Sequence, residues 1–448
     1  MATKRDLVEA HAFNRRRLVT AFTSGAPGGL ELEPARPARA VVGGVVLAGL
    51  VLAGAALAGW LRPGLPEGWD QNKLVIAEDS GSRFLATGDG VLRPVLNTAS
   101  ARLALPADSF GIVSVPDELL ADQRRGETVG IPGAPDDLPD ADALVQTGWT
   151  ACLDPAGATQ LRLQQDPVAE PAGPADALTV QVDGALWVVW AGQRFAVDPA
   201  VAPDVLRALR LDRTPPRTVP GGWLDLFPVG PALQPLAVPG AGRPAPAGGP
   251  AGTTTGTVLE VTAADGTATR YLLREDGLVP LTDVAFSLYA AGSGTLPVVP
   301  VDQGAVTGLG TVTTLPYPPQ WPAALPGPWP DDVACALLTA APDEVPTVAL
   351  ARLTDPDAAP AAGSGTFVEP GRGALVRAVN GTVVNRGTVF LVDGTGRRYA
   401  VGDDTTGNLE RLGFAGVPPV PVPLAWVEPL SDGPELTEAA ARRVVGGG

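Results

Sequence analysis

The sequence contains one histidine, His11, two cysteines, and lysine only at Lys4 and Lys73. Beyond residue 11 there is therefore no Ser-His-Asp or Cys-His nucleophile and no imidazole general base. Neither lysine lies in a glycine-rich loop, so the phosphate-binding sequence G-x-x-x-x-G-K-[ST] is absent. Two cysteines without a nearby histidine leave no zinc site of ordinary ligands. These scarcities argue against nucleophilic hydrolases, P-loop nucleotide hydrolases and zinc proteins.

Carboxylates are the remaining candidates for chemistry. They cluster in two places: Asp136, Asp137, Asp140 and Asp142 in a proline-flanked stretch, and the pair Asp403-Asp404. A glycosidase needs two carboxyl groups at a set distance in space, which a sequence does not establish. A calcium loop of the D-x-[DN]-x-[DN]-G type is missing. Because acidic loops are most often solvated surface, we predict no catalytic residue, no cofactor and no metal site.

Glycine and proline are abundant, at 55 and 48 of 448 residues, which favours short strands and many turns over long helices. The charge is divided unevenly along the chain. Residues 1–40 hold seven basic and four acidic side chains, so the remaining residues hold 25 of the 32 basic and 44 of the 48 acidic ones. An acidic body argues against nucleic acid as a partner, since phosphates are bound by lysine and arginine.

Residues Val41 to Leu61 form a 21-residue stretch without charge, long enough to cross a bilayer as a helix. Because Arg36 and Arg39 flank its first end, the positive-inside rule places residues 1–40 in the cytoplasm and 62–448 outside. A cleaved signal peptide is the alternative, with Ala56-Leu57-Ala58 as the cleavage site, but the stretch is longer than a signal core. We predict an uncleaved single-pass anchor in the lipid bilayer.

A short helix is predicted before the anchor, from Asp6 to Phe22, with Asp6 as its cap. Its apolar positions are interrupted by the basic run Arg15 to Arg17. Two interpretations stay open for this helix: contact with anionic lipid headgroups, or docking onto a cytoplasmic partner.

Two short stretches repeat beyond the anchor: GQRFAV at 192–197 and GRRYAV at 396–401. The match continues at an offset of 203 residues through leucine, proline and tryptophan positions, including Trp223 and Trp426. Both copies read as a strand, a turn, a second strand, a short helix and a V-P-x-x-W segment. The pair therefore indicates a duplicated building block, in which the arginine packs along its strand and pairs with a carboxylate or carbonyl, while the aromatic residue fills the core.

A weaker second repeat relates residues 82–85 (SRFL) to 269–272 (TRYL). The two kinds alternate, and the stretch 237–255, rich in alanine, glycine and proline, divides the halves. The predicted organisation is a cytoplasmic segment (1–40), a transmembrane helix (41–61), repeat 1 (68–105), the first segment of a central domain (106–177), repeat 2 (178–236), a linker (237–255), repeat 3 (256–291), the second segment of the central domain (292–373), repeat 4 (374–436) and a tail (437–448). The structural anchors of the repeats are Arg83, Phe84, Arg194, Phe195, Trp223, Arg270, Tyr271, Arg398, Tyr399 and Trp426.

Each segment of the central domain contains one cysteine, Cys152 or Cys335. Outside a membrane, two cysteines and no others most economically form one disulfide. We predict a Cys152–Cys335 bond that joins the halves, two buried free thiols being the alternative. The predicted fold is one N-terminal transmembrane helix followed by an elongated, β-rich α+β exterior, duplicated with quasi-two-fold symmetry around a disulfide-linked centre.

The layout resembles the EccB family, a membrane component of the type VII (ESX) secretion systems of actinobacteria. The matching residues are MATKRD at the start, Arg36 to Ala40 (RPARA), Pro66 to Asp70 (PEGWD), Ile131 to Asp136 (IPGAPD) and the two cysteines. The resemblance implies an inner-membrane location, an extracytoplasmic or periplasmic repeat domain, homo-oligomerisation, and assembly with the EccC, EccD and EccE subunits. It also implies contact with the cell wall, through the likeness of the repeats to the wall-binding region of a phage lysin.

Members of the family are sometimes labelled ATPases, although the phosphate-binding loop is lacking here. We predict a non-enzymatic scaffold subunit of the secretion complex. A membrane-tethered wall-binding protein is the first alternative, and a nucleotide or glycan hydrolase is the second.

Overall fold

A computed structural model describes residues 3–24, 37–60, 64–294, 296–330, 332–402 and 407–446. The chain divides into two compact units, Met1–Leu65 and Pro66–Gly448. The first unit contains helix α1 (Lys4–Ser24) and helix α2 (Pro37–Trp60). Helix α1 begins two residues before Asp6, because Asp6 accepts hydrogen bonds from the backbone N–H and the hydroxyl of Thr3, at 2.9 and 2.7 Å. Asp6 thus caps the start of α1 through the backbone N–H of Thr3, which is one of the two bonds of a capping box.

Helix α2 contains Val41, the predicted start of the transmembrane stretch, whereas its predicted end, Leu61, lies outside the described residues. Within the described residues, no helix combines the length and apolarity that crossing a membrane requires. The side chains of residues 55–60 are not among those described.

The second unit begins with the strands and helices of a first module, residues 71–125. They are β1 (Gln71–Ala77), β2 (Arg83–Thr87), β3 (Val91–Pro94), α3 (Thr98–Ala104), β4 (Gly111–Val115), α4 (Asp117–Leu120) and β5 (Arg124–Arg125). The first half of a central sheet follows, with β6 (Trp149–Leu153), β7 (Thr159–Leu163) and β8 (Ala169–Pro171).

Module 2, residues 176–233, contains β9 (Asp176–Val182), β10 (Ala185–Trp190), β11 (Gln193–Val197), α5 (Ala202–Ala208), β12 (Arg217–Thr218) and α6 (Gly221–Leu224). Module 3, residues 258–311, contains β13 (Val258–Thr262), β14 (Ala268–Arg274), β15 (Gly277–Leu281), α7 (Asp283–Ser293), β16 (Val298–Pro300) and α8 (Gln303–Thr307).

The second half of the central sheet then follows β17 (Gly327–Pro328), with β18 (Ala334–Thr339), β19 (Thr347–Leu353) and β20 (Gly365–Val368). Module 4, residues 374–436, contains β21 (Ala374–Val379), β22 (Val389–Val392), β23 (Arg397–Val401), α9 (Asn408–Leu412), β24 (Val420–Pro423), α10 (Leu424–Val427) and β25 (Ser431–Asp432), and helix α11 (Glu438–Ala441) ends the described chain.

The modules share one topology in the described part of the chain. Three antiparallel strands are followed by a helix, and the next strand returns parallel to the first strand, as in β1–β4, β9–β12, β13–β16 and β21–β24. A final segment runs parallel to the third strand, as β5 and β25 do. Local chemistry starts the helices: Asn97 accepts from the backbone N–H of Ser100 at 2.9 Å before α3, and Thr282 accepts from that of Ala285 at 3.1 Å before α7.

The common topology changes the sequence-based picture of two repeat types. Arg83-Phe84 and Arg270-Tyr271 lie on the second strand of their modules, whereas Arg194-Phe195 and Arg398-Tyr399 lie on the third. The similar sequence motifs therefore belong to different strands of the same module fold. Sequence matching separated the modules because the same alternation of buried and exposed positions recurs on every strand of a sheet.

The modules also extend past the predicted repeat ranges. Repeat 1, predicted as 68–105, lacks β4 and β5, and repeat 3, predicted as 256–291, lacks β16; each of these strands pairs within its module's sheet. These closing strands are short and pair in parallel with a partner far back in the chain, so no local turn signals them.

The predicted tail, 437–448, contains α11, and Val445 donates its backbone N–H to the carbonyl of Thr128 at 2.8 Å. Val445 is thus attached to a residue that follows module 1.

Modules of the first half pack against modules of the second half. One apolar core joins module 1 to module 4, and another joins module 2 to module 3. A third core places the central sheet against modules 2 and 4. Module 1 of the first half therefore packs against module 4 of the second half, through residues about 300 positions apart such as Leu74 and Leu391, and module 2 packs against module 3.

Candidate functional site: the disulfide-centred framework

The central sheet has the strand order β20-β7-β6-β18-β19-β8, so one strand of each half lies at the far edge, beside two strands of the other half. Strands β6 and β18 are antiparallel neighbours, and Cys152 lies directly opposite Cys335 in their register. The two residues form a disulfide with a Cα–Cα distance of 4.0 Å, and both side chains are fully buried. The bond spans 183 residues of sequence. It therefore ties the two halves at the middle strands of a shared sheet.

Strands of the two halves also pair elsewhere in the central sheet. Next to the disulfide, Ala151 lies opposite Ala336 in the register of β6 and β18. Strand β8 of the first half pairs with β19 of the second, and β20 of the second half pairs with β7 of the first. Each half thus completes the other's sheet.

Two of the predicted anchor arginines occupy the same position in modules 2 and 4. Arg194 forms an ion pair with Asp225, and its guanidinium carbon lies 5.5 Å from the ring centre of Trp187. Arg398 donates from Nε to Asp432 at 2.7 Å and lies 5.3 Å from the ring centre of Phe390. Since the aromatic residues stand on the neighbouring strand in both modules, the arginine and the ring are equivalent features.

The carboxylate partners of these arginines are not equivalent in sequence. Asp225 follows α6, whereas Asp432 is on β25. Hydrogen bonding from Arg398 is the main cause that lowers the pKa of Asp432 below its usual value. The equivalent arginines of modules 2 and 4 therefore pair with aspartates from different closing segments.

The arginines of modules 1 and 3 make comparable contacts. Arg83 pairs with Asp136 at 2.6 Å, and Arg270 pairs with Glu260 at 2.9 Å and Asp283 at 3.1 Å. The guanidinium carbon of Arg125 lies 4.0 Å from the ring centre of Phe84. Tyr271 is half-buried against the apolar core of module 3. Arg83 thus ties module 1 to the stretch that follows it, whereas the contacts of Arg125 and Arg270 stay within single modules.

The aromatic anchors of modules 2 and 4 are buried, and the two tryptophans bond to residues outside their own modules. Trp223 donates its indole N–H to the carbonyl of Ala151 on β6 at 2.9 Å, and Trp426 donates to the carbonyl of Leu226 at 3.2 Å. Phe195 is fully buried, and the Tyr399 hydroxyl donates to Asp393 at 2.9 Å. Burial, followed by the Asp393 contact, raises the pKa of Tyr399 to about 12. Trp223 therefore connects module 2 with the central sheet, and Trp426 connects module 4 with module 2.

The acidic residues considered for chemistry are dispersed. Asp136 pairs with Arg83 and accepts from the backbone N–H of Thr98 at 3.1 Å. Asp137, Asp140 and Asp142 are exposed, and Asp403-Asp404 lies outside the described residues. Over the ranges that the structure describes, no group of three or more histidine, cysteine or acidic residues is placed to hold a metal ion.

The contact between modules 1 and 4 depends on arginines that no sequence pattern singled out. Arg411 donates to the carbonyl of Leu105 at 2.6 Å, and Arg442 donates from Nε and Nη2 to that of Ala104 at 3.2 and 3.0 Å. Both carbonyls are at the C-terminal end of α3. In the opposite direction, Arg102 of α3 approaches the carbonyl of Leu412 at the end of α9, at 3.4 Å. Helices α3 and α9 therefore each place an arginine at the C-terminal end of the other, where the helix dipole favours positive charge.

The fold and this framework define a class of protein: an N-terminal apolar helix followed by two duplicated halves that are interlocked and joined by one buried disulfide. The chain belongs to the EccB family, described as type VII secretion system ESX-1, transport TM domain B, whose family model matches residues 1–446. The resemblance inferred from the sequence is confirmed.

Curated relatives match along most of their length. The ESX-2 secretion system ATPase EccB2 of Mycobacterium tuberculosis (strain ATCC 25618 / H37Rv) is 28% identical over 479 residues, which cover 98% of this chain and 94% of the relative. The ESX-1 secretion system ATPase EccB1 of Mycolicibacterium smegmatis (strain MKD8) is 28% identical over 431 residues, covering 90% of this chain and 87% of the relative.

Solved structures have the same fold. A chain of the intact ESX-5 inner membrane complex is 23% identical with a TM-score of 0.68, covering 99% of this chain and 96% of that one. The EccB3 dimer from the ESX-3 core complex is 25% identical with a TM-score of 0.68, covering 83% of this chain and 99% of that one.

Proposed function

We propose that this chain is a structural membrane subunit of a type VII secretion complex, which anchors and assembles that complex through its extracytoplasmic modules. The observation that carries the proposal is the family match across residues 1–446 together with the interlocked framework of residues 66–448. A body whose terminal modules are held by the opposite half resists deformation. Such a body suits a subunit that positions partners.

The proposed partners are further copies of this chain and the EccC, EccD and EccE subunits. The solved relatives come from an ESX-5 inner membrane complex and from an ESX-3 core complex that contains an EccB3 dimer. Purification of the full chain from its own membranes in mild detergent tests the assembly. We expect the other secretion subunits to co-purify in stable proportion. Recovery of this chain alone would contradict the proposal.

The proposed topology has residues 1–40 in the cytoplasm, residues 41–61 as a single span of the inner membrane, and residues 62–448 outside. The basic flank, Arg36 and Arg39, supports this orientation, and so does the disulfide, since such bonds persist in oxidising compartments. A membrane-impermeant maleimide applied to spheroplasts is expected to label a Glu67→Cys variant but not an Asn14→Cys variant. Labelling of the second before lysis would reverse the orientation.

The proposed role is that of a scaffold and not of a catalyst, although the curated relatives carry ATPase in their names. The sequence supports this through its lack of a phosphate-binding loop and through its single histidine at position 11. Purified full chain is expected to hydrolyse ATP no faster than a buffer blank. Turnover that disappears when Asp403 and Asp404 are both changed to asparagine would establish an enzyme instead.

A further inference from the structure

Module 4 differs from the other modules in one connection. Its first two strands, β21 and β22, are joined by residues 380–388, whereas the equivalent connections are 78–82 in module 1, 183–184 in module 2 and 263–267 in module 3. Module 2, which matches module 4 in sequence, closes the same hairpin with the two-residue turn Asp183-Gly184. The module fold therefore does not require the long connection. A loop added to one copy of a duplicated module indicates a separate role for that copy.

The long loop forms one wall of an open groove of about 500 Å³, which we call the module 4 groove. It is lined by Val379, Val383, Arg386, Phe390 and Leu424, with other residues of the same loop. Val383 is 51% exposed and Leu424 is 40% exposed. At the positions of Phe390 and Leu424, offset by 203 residues, module 2 has Trp187 and Gly221. Module 2 thus lacks both the loop and the apolar side chain that face each other across the groove.

The loop is fixed to its own sheet at its second end. Gly387 has a φ of +142°, and a Cβ at this position would lie 1.8 Å from the carbonyl oxygen of Ala378. Only glycine can occupy that position. The Arg377 side chain also donates to the carbonyl of Gly387, at 3.4 Å. The loop that forms one wall of the groove is therefore held in place, at Gly387, by residues of module 4.

The charges around the groove are of both signs. Arg386 is on the loop wall, and Glu428 lies one helical turn after Leu424, where its backbone N–H donates to the Leu424 carbonyl at 3.0 Å. Both side chains are exposed. An apolar groove with an arginine in its lining and a glutamate one helical turn from its lining offers charges of both signs to a second copy of the same surface under two-fold rotation. Each Arg386 would then face the Glu428 of the other copy.

We propose that the module 4 groove is the surface through which a second copy of this chain docks, with Val383 of each copy inserted against Phe390 and Leu424 of the other. The inference rests on the proposed function, in which the chain assembles with copies of itself. The family supports self-association, since a relative 25% identical was solved as an EccB3 dimer. The self-complementary charge pattern selects a second copy over a partner of a single charge.

The first test changes the apolar contact in the full chain, purified in mild detergent and measured by sedimentation equilibrium. Val383→Glu and Leu424→Glu are expected to weaken self-association at least about a hundredfold, because each places two unpaired charges in a symmetric apolar contact. Val345→Glu is the matched control, because Val345 is 50% exposed in another loop, between β18 and β19. Replacement of residues 380–388 by Asp-Gly, the turn of module 2, is expected to act like Val383→Glu. Quantitative formation of the Cys152–Cys335 bond verifies folding of every variant.

The second test identifies the partner. Arg386→Glu and Glu428→Arg are each expected to weaken self-association about tenfold, and the double variant is expected to restore it, because the exchanged charges face each other again. Val383→Cys is expected to give a reducible homodimer on oxidation, whereas Val345→Cys is not.

Several results would overturn the docking surface: unchanged self-association in Val383→Glu, no recovery in the charge exchange, or a Val383→Cys cross-link to a different subunit. If these variants still co-purify with the other secretion subunits, the docking surface alone is wrong. If the unaltered chain co-purifies with none of them, the proposed function is wrong.

Discussion

Position 413 in module 4 and position 210 in module 2 are equivalent, since each follows the module helix and has a positive φ, +101° at Gly413 and +61° at Arg210. Both helices end with the same bond, in which Phe414 or Leu211 donates its backbone N–H to the carbonyl of Leu409 or Leu206. Glycine is needed only in module 4, because a Cβ at 413 would lie 2.5 Å from Nη1 of Arg102. The same left-handed backbone conformation is therefore occupied by arginine in module 2 and by glycine in module 4, where Arg102 packs against it.

We expect Gly413→Ala to destabilise the fold by about 1–3 kcal/mol, through the left-handed conformation and the displacement of Arg102. Arg210→Gly, the matched change in module 2, is expected to raise stability slightly, by about 0.5 kcal/mol, because it relieves the same conformation at an exposed site. Midpoints of urea unfolding of the full chain check both. A stabilised Gly413→Ala variant would contradict the close approach of Arg102.

Tyr399 gives a second prediction at the residue scale, through its pKa of about 12 in the folded chain. Because this pKa lies above the ordinary value near 10, the unfolded chain loses the proton first as the pH rises. The stabilising contribution is complete below about pH 10 and is lost between about pH 10 and pH 12, by roughly 2–3 kcal/mol.

Tyr399→Phe is expected to lose about 1 kcal/mol near pH 7, since Asp393 loses a donor, and to show a smaller fall in stability between pH 10 and pH 12. Thermal unfolding at several pH values checks this, with Tyr271→Phe as the control. An identical alkaline fall in Tyr399→Phe and the unaltered chain would contradict the assignment.

The two middle strands of the central sheet decide stability at the scale of elements. Replacing both Cys152 and Cys335 with serine removes a link that closes 183 residues, worth up to about 5 kcal/mol in the chain-entropy model. We expect a lower unfolding midpoint and a greater susceptibility to protease, with strand pairing retained because β6 and β18 remain hydrogen-bonded. Reduced, unaltered chain is the control. Equal midpoints for the oxidised chain and the double-serine variant would contradict a stabilising bond.

The arginines that bind the carbonyl groups at the C-terminal end of α3 give another prediction at this scale. Arg442→Ala removes two donors to the Ala104 carbonyl and the ion pair with Glu438 at 2.9 Å. We expect a loss of about 1–2 kcal/mol and faster hydrogen exchange in residues 98–105. Arg443→Ala, one position along and exposed, is the matched control. Equal exchange in the two variants would show that the contact does not hold module 1.

The interlocking of the halves governs the whole molecule. Module 1 is held by module 4 and module 2 by module 3, so the linker 237–255 does not by itself keep the halves together. We expect a chain cut at a protease site inserted between Gly248 and Gly249 to migrate as one particle, even after reduction of the disulfide. Size-exclusion chromatography under reducing conditions checks this. Separation of the halves would mean that the linker, and not the modules, maintains the assembly.

Much of this organisation could be predicted from the sequence, because duplication and cysteine count are local or countable properties. The pairing of GQRFAV with GRRYAV marked modules 2 and 4, and one cysteine in each segment of the central domain indicated one bond. The fourth strand of each module and the fifth strand of modules 1 and 4 could not be predicted, because β4 or β24 is recognisable only from a partner strand tens of residues earlier. The module 4 groove could not be predicted either, because Val383 and Leu424 belong to no common sequence pattern.

The sequence by itself determined the order of segments, the alternation of buried and exposed strand residues, the lack of histidine and lysine chemistry, and the family. Those properties follow from residue identity and short-range periodicity. Only the tertiary structure decided that modules 1 and 4 pack together, that Arg442 caps a helix 338 residues away, and that one loop makes an apolar groove. The physical reason is that apolar burial is non-directional: it drives the modules to pack, while the geometry of the central sheet selects which surfaces meet.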